Sequence, residues 1–232
     1  MLGHKDRLGC WEQQQKTRPV RTRTGRRSQE RRTRKLVYYI AVTLDGFIAA
    51  PDGTYHCFAT EGDHLEAIVT ELPETLPVHV RTALGIDAPP ARFDTVVMGR
   101  ATLQPALDIG ITSPYPHLRQ YVLSHTLPAA TDATEPIVGR NPIDLVRELK
   151  AEDSDADVWL CGGGHLAGQL VDEIDELFLK VYPVVLGRGI GLFAPETGPE
   201  PPIARRFEHL HSRQFDSGVR FTRLVRPDGG ER

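Results

Sequence analysis

The sequence predicts an α/β fold, a sandwich whose mixed, mostly parallel central sheet is covered by helices on both faces and finished by a C-terminal antiparallel hairpin. Three observations predict it. Apolar, β-rich runs alternate with segments of helical spacing from Lys35 onward. Two of those runs, Phe93 to Met98 and Val158 to Cys161, break into glycine where a helix begins. The end of the chain folds back as two alternating strands around Asp216-Ser217-Gly218. Strand-helix alternation requires crossover connections, which make strands parallel and place helices on the faces of the sheet, whereas a hairpin adds an antiparallel edge.

The elements follow in order. LVYYIAVTLDGFIAA, from Leu36, reads as a buried strand ending at Asp45-Gly46, with an irregular loop behind it through Pro51-Asp52-Gly53. Leu65, Ile68, Val69 and Leu72 give segment 61–72 helical spacing, and 76–86 reads as a second helix before Pro89-Pro90 interrupts it. Phe93 to Met98 is a strand running into Gly99-Arg100-Ala101-Thr102 and a short helical stretch expected to stop before Pro105. Gln120 to Leu123 reads as a strand ending at Ser124-His125, Pro136 to Val138 as a weak one, and Pro142 to Lys150 as a helix with proline in its first turn. After the run from Val158 come Gly162-Gly163-Gly164 and a helix, then a strand from Leu177 to Val185, then the closing pair.

Length and charge divide the chain. A chain of 232 residues with 40% hydrophobic content can bury one substantial core. Residues 1–35 hold 12 Lys/Arg against 3 Asp/Glu and the remainder 16 against 28, so the front carries +9 and the rest −12. A basic block so poor in apolar residues cannot offset its ordering entropy by burial, so residues 1–34 are expected to be a disordered tail ahead of one domain over 35–228. Nucleic-acid contact and targeting are the competing uses of that tail. Inconsequential upstream sequence, from a start codon placed too early, is the favoured reading. Arg26-Arg27 is followed by Ser28, Gln29 and Glu30 instead of an apolar stretch, no segment approaches the roughly 18 apolar residues of a membrane span, and Cys10, Cys57 and Cys161 build no disulfide framework. A soluble, cytoplasmic protein is expected.

The triple glycine carries the chemistry. Residues without Cβ let a ligand approach the backbone, and amides at a following helix N-terminus favour an anion, so a nucleotide cofactor is the first hypothesis; a turn that only makes room for helix packing competes with it. Gly162 to Ala167 also satisfies G-x-G-x-x-A, but the acid a dinucleotide fold needs about 20 residues on would fall at Val181 to Val184, which offers no carboxylate. No G-x-S-x-G elbow exists, and His56, His64, His79, His117, His209 and His211 show no metal-ligand spacing.

IAVTLDGFIA, VVMGRATLQPAL, YVLSHTLP, LCGGGHLAGQLVDEIDELFLKVYPVVLGRGIGLF and FDSGVRFTRL occur in that order across about residues 36–226. Together they resemble the dihydrofolate reductase-like superfamily. Within it, the closer resemblance is to the C-terminal reductase domain of bifunctional riboflavin-biosynthesis deaminase/reductases and to stand-alone members of that family. The deaminase signature H-x-E with P-C-x-x-C is absent. The resemblance implies the three-layer dihydrofolate reductase-like sandwich, NADPH in preference to NADH, hydride transfer to a small pterin- or pyrimidine-like substrate, and a homodimer.

By the same resemblance, Gly99, Arg100 and Thr102 hold the cofactor pyrophosphate, a guanidinium matching phosphate geometry bidentately. Ser124 faces the adenosine 2′-phosphate, where the next residue is His125 in place of the arginine often found, which weakens strict selectivity for NADPH. Gly162, Gly163, Gly164, His165 and Leu166 complete the cofactor contacts, and Ala41 and Ile48 pack against the nicotinamide, although ordinary core packing competes for both. Asp45 is a candidate for orienting substrate, set against a routine Asp-Gly turn. Folate reduction is not supported, because Glu61, Asp63, Glu66 and Glu71 lie where an acid is needed without a motif to choose among them. Hydride transfer needs no catalytic triad, since the cofactor carries the hard chemistry. The alternative is a noncatalytic nucleotide sensor or scaffold whose basic tail touches nucleic acid.

Overall fold

The computed structural model describes residues 33–124, 135–138, 140–194 and 203–227. In chain order they form β1 (Leu36–Val42), β2 (Phe47–Ala49), α1 (Asp63–Glu71), a 3-10 turn (Pro73–Thr75), α2 (Val78–Leu84), β3 (Phe93–Gly99), α3 (Arg100–Asp108), β4 (Arg119–Ser124) and β5 (Glu135–Val138). There follow α4 (Pro142–Ala151), β6 (Asp157–Gly162), α5 (Gly164–Gln169), β7 (Glu176–Val181), β8 (Ile190–Gly191), β9 (Glu208–Gln214) and β10 (Arg220–Val225). The predicted tail falls almost wholly on residues outside the described ones.

Eight strands make one sheet in the order β5-β4-β3-β6-β1-β7-β10-β9, and β2 pairs with β8. Pairing is parallel from β5 through β7 and antiparallel where β10 meets β7 and β9. Because side chains alternate across a strand, the sheet faces two separate cores. Val37, Tyr39, Met98, Trp159 and Phe178 pack with Ala67 and Ile68 of α1 and Leu103 of α3 on one face. Leu36, Tyr38, Val97 and Leu160 pack with Leu145, Val146 and Leu149 of α4 and Leu166, Ala167 and Leu170 of α5 on the other. Each of the larger apolar side chains contributes about 1.5–3 kcal/mol by leaving water, an alanine less, and the three predicted layers follow.

Three boundaries differ from expectation. The helix after β3 runs through Pro105 to Asp108. Proline removes one backbone donor there, and burial of Leu103 with Ala106 and Leu107 packed on the core offsets the loss. The strand after α5 ends at Val181 instead of Val185, because the chain turns back at Tyr182, whose carbonyl accepts from Val184 N at 2.8 Å. Arg34, which charge counting assigned to the tail, is 2% exposed. Its guanidinium pairs with Asp94 and Glu152 and donates to Ala156 O at 2.9 Å, so the folded unit takes in Arg34.

The hairpin tip is clamped to α1. Asp63 accepts from Asp216 N at 2.8 Å and Ser217 N at 3.1 Å, and His64 Nδ1 lies 2.9 Å from Ser217 Oγ. At the opposite end of the sheet, Glu176 is 1% exposed between Arg92 Nη2 at 2.8 Å and Arg223 Nε at 2.7 Å, tying the residue that leads into β3 to β7 and β10. Burial pushes the Glu176 carboxyl up, but the two guanidinium groups outweigh it and hold the group below the usual glutamate range. Its folded value is therefore below its unfolded one. The stabilisation is complete above the unfolded value of about 4.3 and disappears as pH falls through the folded value. Urea unfolding at stepped pH should show stability falling below about pH 4.3, and Glu176→Gln should lower the neutral-pH midpoint and flatten that fall. An unchanged slope in the variant would show that other carboxylates govern acid unfolding.

Candidate active site

β3 and β6 are neighbours, yet the helices that follow them separate: α3 packs on the face carrying Met98, α5 on the face carrying Leu160. A crevice must open at the carboxyl ends of two parallel strands whose connections leave in opposite directions, and it is where ligands bind in such sheets. Here it is a cleft of about 1300 Å³. Its lining joins the ends of β1, β3, β4 and β6 with the first turns of α3, α4 and α5.

Local sequence shapes the floor. Gly162 has φ 134°, a conformation that L side chains rarely adopt, and a Cβ there would sit 3.4 Å from Thr102 Oγ1. Gly162-Gly163 is a cis peptide. Gly164 is wedged against backbone, since a Cβ on it would lie 2.2 Å from Gly191 O. At Gly163 the nearest atom to an added Cβ is Thr102 Oγ1 at 3.6 Å. The run is thus one glycine for conformation, one leaving open backbone and one for close packing. Neither Gly99 nor Gly163 supplies a side-chain cap, so the first amides of α3 and α5 are not covered by their own N-caps. α5 spans only six residues, so its contribution is backbone access more than the helix dipole expected from the sequence.

Ala41, Ile48, Gly99, Arg100, Thr102, Ser124, Gly162, Gly163, Gly164, His165 and Leu166 all line this one cleft. Arg100 is exposed, and its guanidinium forms no ion pair among the described residues. Asp45 is elsewhere. Its carboxylate accepts from Thr43 Oγ1 at 2.6 Å, Gly187 N at 2.7 Å and Leu186 N at 3.1 Å, pinning the turn after β1 to the loop after β7. The hydrogen bond from Thr43 first, then those backbone amides, holds the Asp45 carboxyl below the usual range. His125 lies outside the described residues.

Sequence reasoning missed two parts of the lining. Arg140 to Ile143 bring the start of α4 to the cleft, with Asn141 capping Ile143 N at 2.9 Å and Arg140 paired with Glu148. Asn141-Pro142 signals a helix start, but only the parallel register Ser124↔Val138 sets that start beside Ser124's strand. The second missed part is an aromatic recess made by Tyr39, Phe58, Tyr115 and Trp159, with Lys180 among them. Tyr115 meets Trp159 edge-on at 4.9 Å between ring centroids, and Lys180 Nζ stands 4.3 Å from the Tyr39 ring centroid. Burial pushes the Lys180 ammonium down to about 8, with nearby Cys161 opposing, and pushes the Cys161 thiol up to about 12. No Asp or Glu lines the cleft among the described residues, although the domain is acidic overall.

The family model described as RibD C-terminal domain matches residues 34–221. The uncharacterized protein YwjB of Bacillus subtilis is 31% identical over 165 residues, 69% of this chain and 83% of that protein. YyaP of the same organism is 24% identical over 201 residues, 80% and 92% of the two chains. Among solved structures, a Shewanella sp. PV-4 protein named for riboflavin biosynthesis superposes with TM-score 0.57 at 24% identity over 83% of this chain and 99% of its own. A diaminohydroxyphosphoribosylaminopyrimidine deaminase/5-amino-6-(5-phosphoribosylamino)uracil reductase from Thermotoga maritima gives TM-score 0.52 at 17% identity, over 84% of this chain and 57% of that one. These likenesses establish the dihydrofolate reductase-like fold. No helix among the described residues is long and apolar enough to cross a membrane.

Proposed function

The chain belongs to the RibD C-terminal domain family, and from that premise we propose that it is an NADPH-dependent reductase acting on a small heterocyclic substrate. One observation carries the reading: eleven residues scattered from Ala41 to Leu166, each expected to touch a nicotinamide cofactor, converge on a single cleft. The cleft fits that group. It offers a guanidinium at Arg100 that pairs with no carboxylate among the described residues, open backbone at Gly163, and no lining carboxylate among those residues to repel phosphates.

In this reading Arg100 and the amides from Gly99 to Thr102 hold the pyrophosphate, a charge-assisted arrangement. Ser124 and Arg140 hold the 2′-phosphate, Arg140 taking the place of the arginine that the sequence lacks at position 125. Ala41 and Ile48 press on the nicotinamide and exclude water from it. The bound cofactor supplies the hydride. Tyr39 and Trp159 give the acceptor flat, apolar walls beside it.

Fluorescence titration with NADPH and NADH side by side tests this. NADPH should bind about 10- to 100-fold more tightly than NADH if the 2′-phosphate gains about 1.5–3 kcal/mol from charged partners. Arg140→Ala should shrink that ratio by weakening NADPH alone. Binding of neither nucleotide by the intact protein would sink the assignment, and equal effects of Arg140→Ala on both would remove Arg140 from the 2′-phosphate site.

A further inference from the structure

Lys180 is the cation that the cofactor reading leaves unused. Ala41 pairs in register with Lys180 across β1 and β7, and Tyr39 with Phe178, so Lys180 rises from the sheet on the face that carries Tyr39 and Ala41. Protein packs around its side chain, which meets solvent through the cleft, and its Nζ rests over the Tyr39 ring at 4.3 Å. It forms no ion pair with any described residue. An ammonium drawn out of bulk water costs free energy unless a counter-charge comes with it, and an aromatic face recovers only part of that. The cleft supplies no carboxylate among its described residues to do so.

A second observation points the same way. Tyr39 is 2% exposed and lines the cleft, with its hydroxyl enclosed by protein beside Thr75. What it can offer a ligand from there is its ring, the face over which Lys180 Nζ already lies. Tyr115 and Trp159 complete an apolar wall of rings next to it. A protonated base would meet the like charge of Lys180 here, whereas a flat acid would meet a counter-charge and a ring face together.

We propose that the recess of Tyr39, Tyr115, Trp159 and Lys180 is a subsite for a planar aromatic acid, whose anionic oxygen is held by Lys180 Nζ. It deepens the reductase reading by naming the substrate class, a flat heteroaromatic anion, but its binding chemistry stands on these residues alone. Lys180 is a specificity-determining residue in this role.

The test is calorimetric titration of the full chain with quinoline-2-carboxylate and with quinoline-2-carboxamide, which share shape and differ in charge. The carboxylate should bind at least about 10-fold more tightly than the amide. Lys180→Met should erase that difference, and Lys180→Arg should keep most of it, with melting curves verifying that both variants are folded. Equal binding of acid and amide, no binding of the acid, or a preference that survives in Lys180→Met would overturn the proposal. The NADPH titration is read separately: loss of NADPH binding with the acid preference intact refutes the reductase and leaves the subsite. The reverse result refutes only the subsite.

Discussion

Gly164→Ala should destabilise the protein by about 3 kcal/mol, at the upper end of overpacking penalties, lowering its melting temperature by about 6–12 °C for a domain of this size. The reason is a backbone contact that cannot rotate away. A Cβ at Gly164 would lie 2.2 Å from Gly191 O, far inside van der Waals contact. Neither partner is free to move. Gly164 O accepts from Ala194 N at 3.0 Å, Leu192 O accepts from the buried Tyr38 hydroxyl at 3.0 Å, and Gly191 pairs with Phe47 of β2. Displacing the 190–194 segment would break those bonds, and displacing α5 would unseat Leu166 and Ala167 from the core. Gly99→Ala is the control. An added Cβ there has its nearest contact at 3.8 Å and the backbone is ordinary extended chain at φ −82°, so its melting temperature should change little. Equal melting temperatures for Gly164→Ala and wild type would mean that the segment from 190 to 194 is not packed on the glycine run.

Arg100→Ala should weaken NADPH about 10- to 100-fold by fluorescence titration, the loss of one charge-assisted phosphate contact of about 1.5–3 kcal/mol. Stability should hardly move, because the guanidinium is exposed and makes no ion pair among the described residues. Added salt should weaken binding more steeply in wild type than in the variant, since the missing charge is what salt screens. Gly163→Asp attacks the same pyrophosphate differently. The backbone there leaves room for Cβ, with Thr102 Oγ1 3.6 Å away, so the aspartate would place a like charge against the phosphates. Binding should fall at least as far as in Arg100→Ala. Unaltered affinity in both variants would move the pyrophosphate away from the α3 terminus.

Much of this site was legible because its parts are local. Three glycines between a buried run and a helical one, and Gly99-Arg100-Ala101-Thr102 at another strand's end, are signals that backbone geometry and charge make readable within a few residues. Arg34 shows the limit of that kind of reading. Counting charges assigns it to a solvated block, whereas Asp94 and Glu152 lie distant in sequence and reach it only in the fold. Asp45 shows another, since a turn carboxylate can equally face a substrate or the amides of Leu186 and Gly187, 141 and 142 residues on. Lys180 reads in sequence as one polar position in an apolar strand. Its place above Tyr39 depends on β7 lying beside β1.

By itself, then, the sequence determined most of the elements, their two-faced burial, the parallel core with its antiparallel end, and the glycines and arginine that line the cleft. These follow from periodicity, turn chemistry and the conformational freedom of glycine, which act over a few residues. Tertiary structure alone decided that β6 is inserted between β3 and β1, and with it the crevice, the approach of α4 to Ser124, the diversion of Asp45 to a loop clamp, and the pairing of Lys180 with an aromatic recess. Strand order is set by burial and pairing between segments more than a hundred residues apart, such as Val37 with Trp159. Those energies depend on which surfaces meet, and no local pattern in the chain encodes that choice.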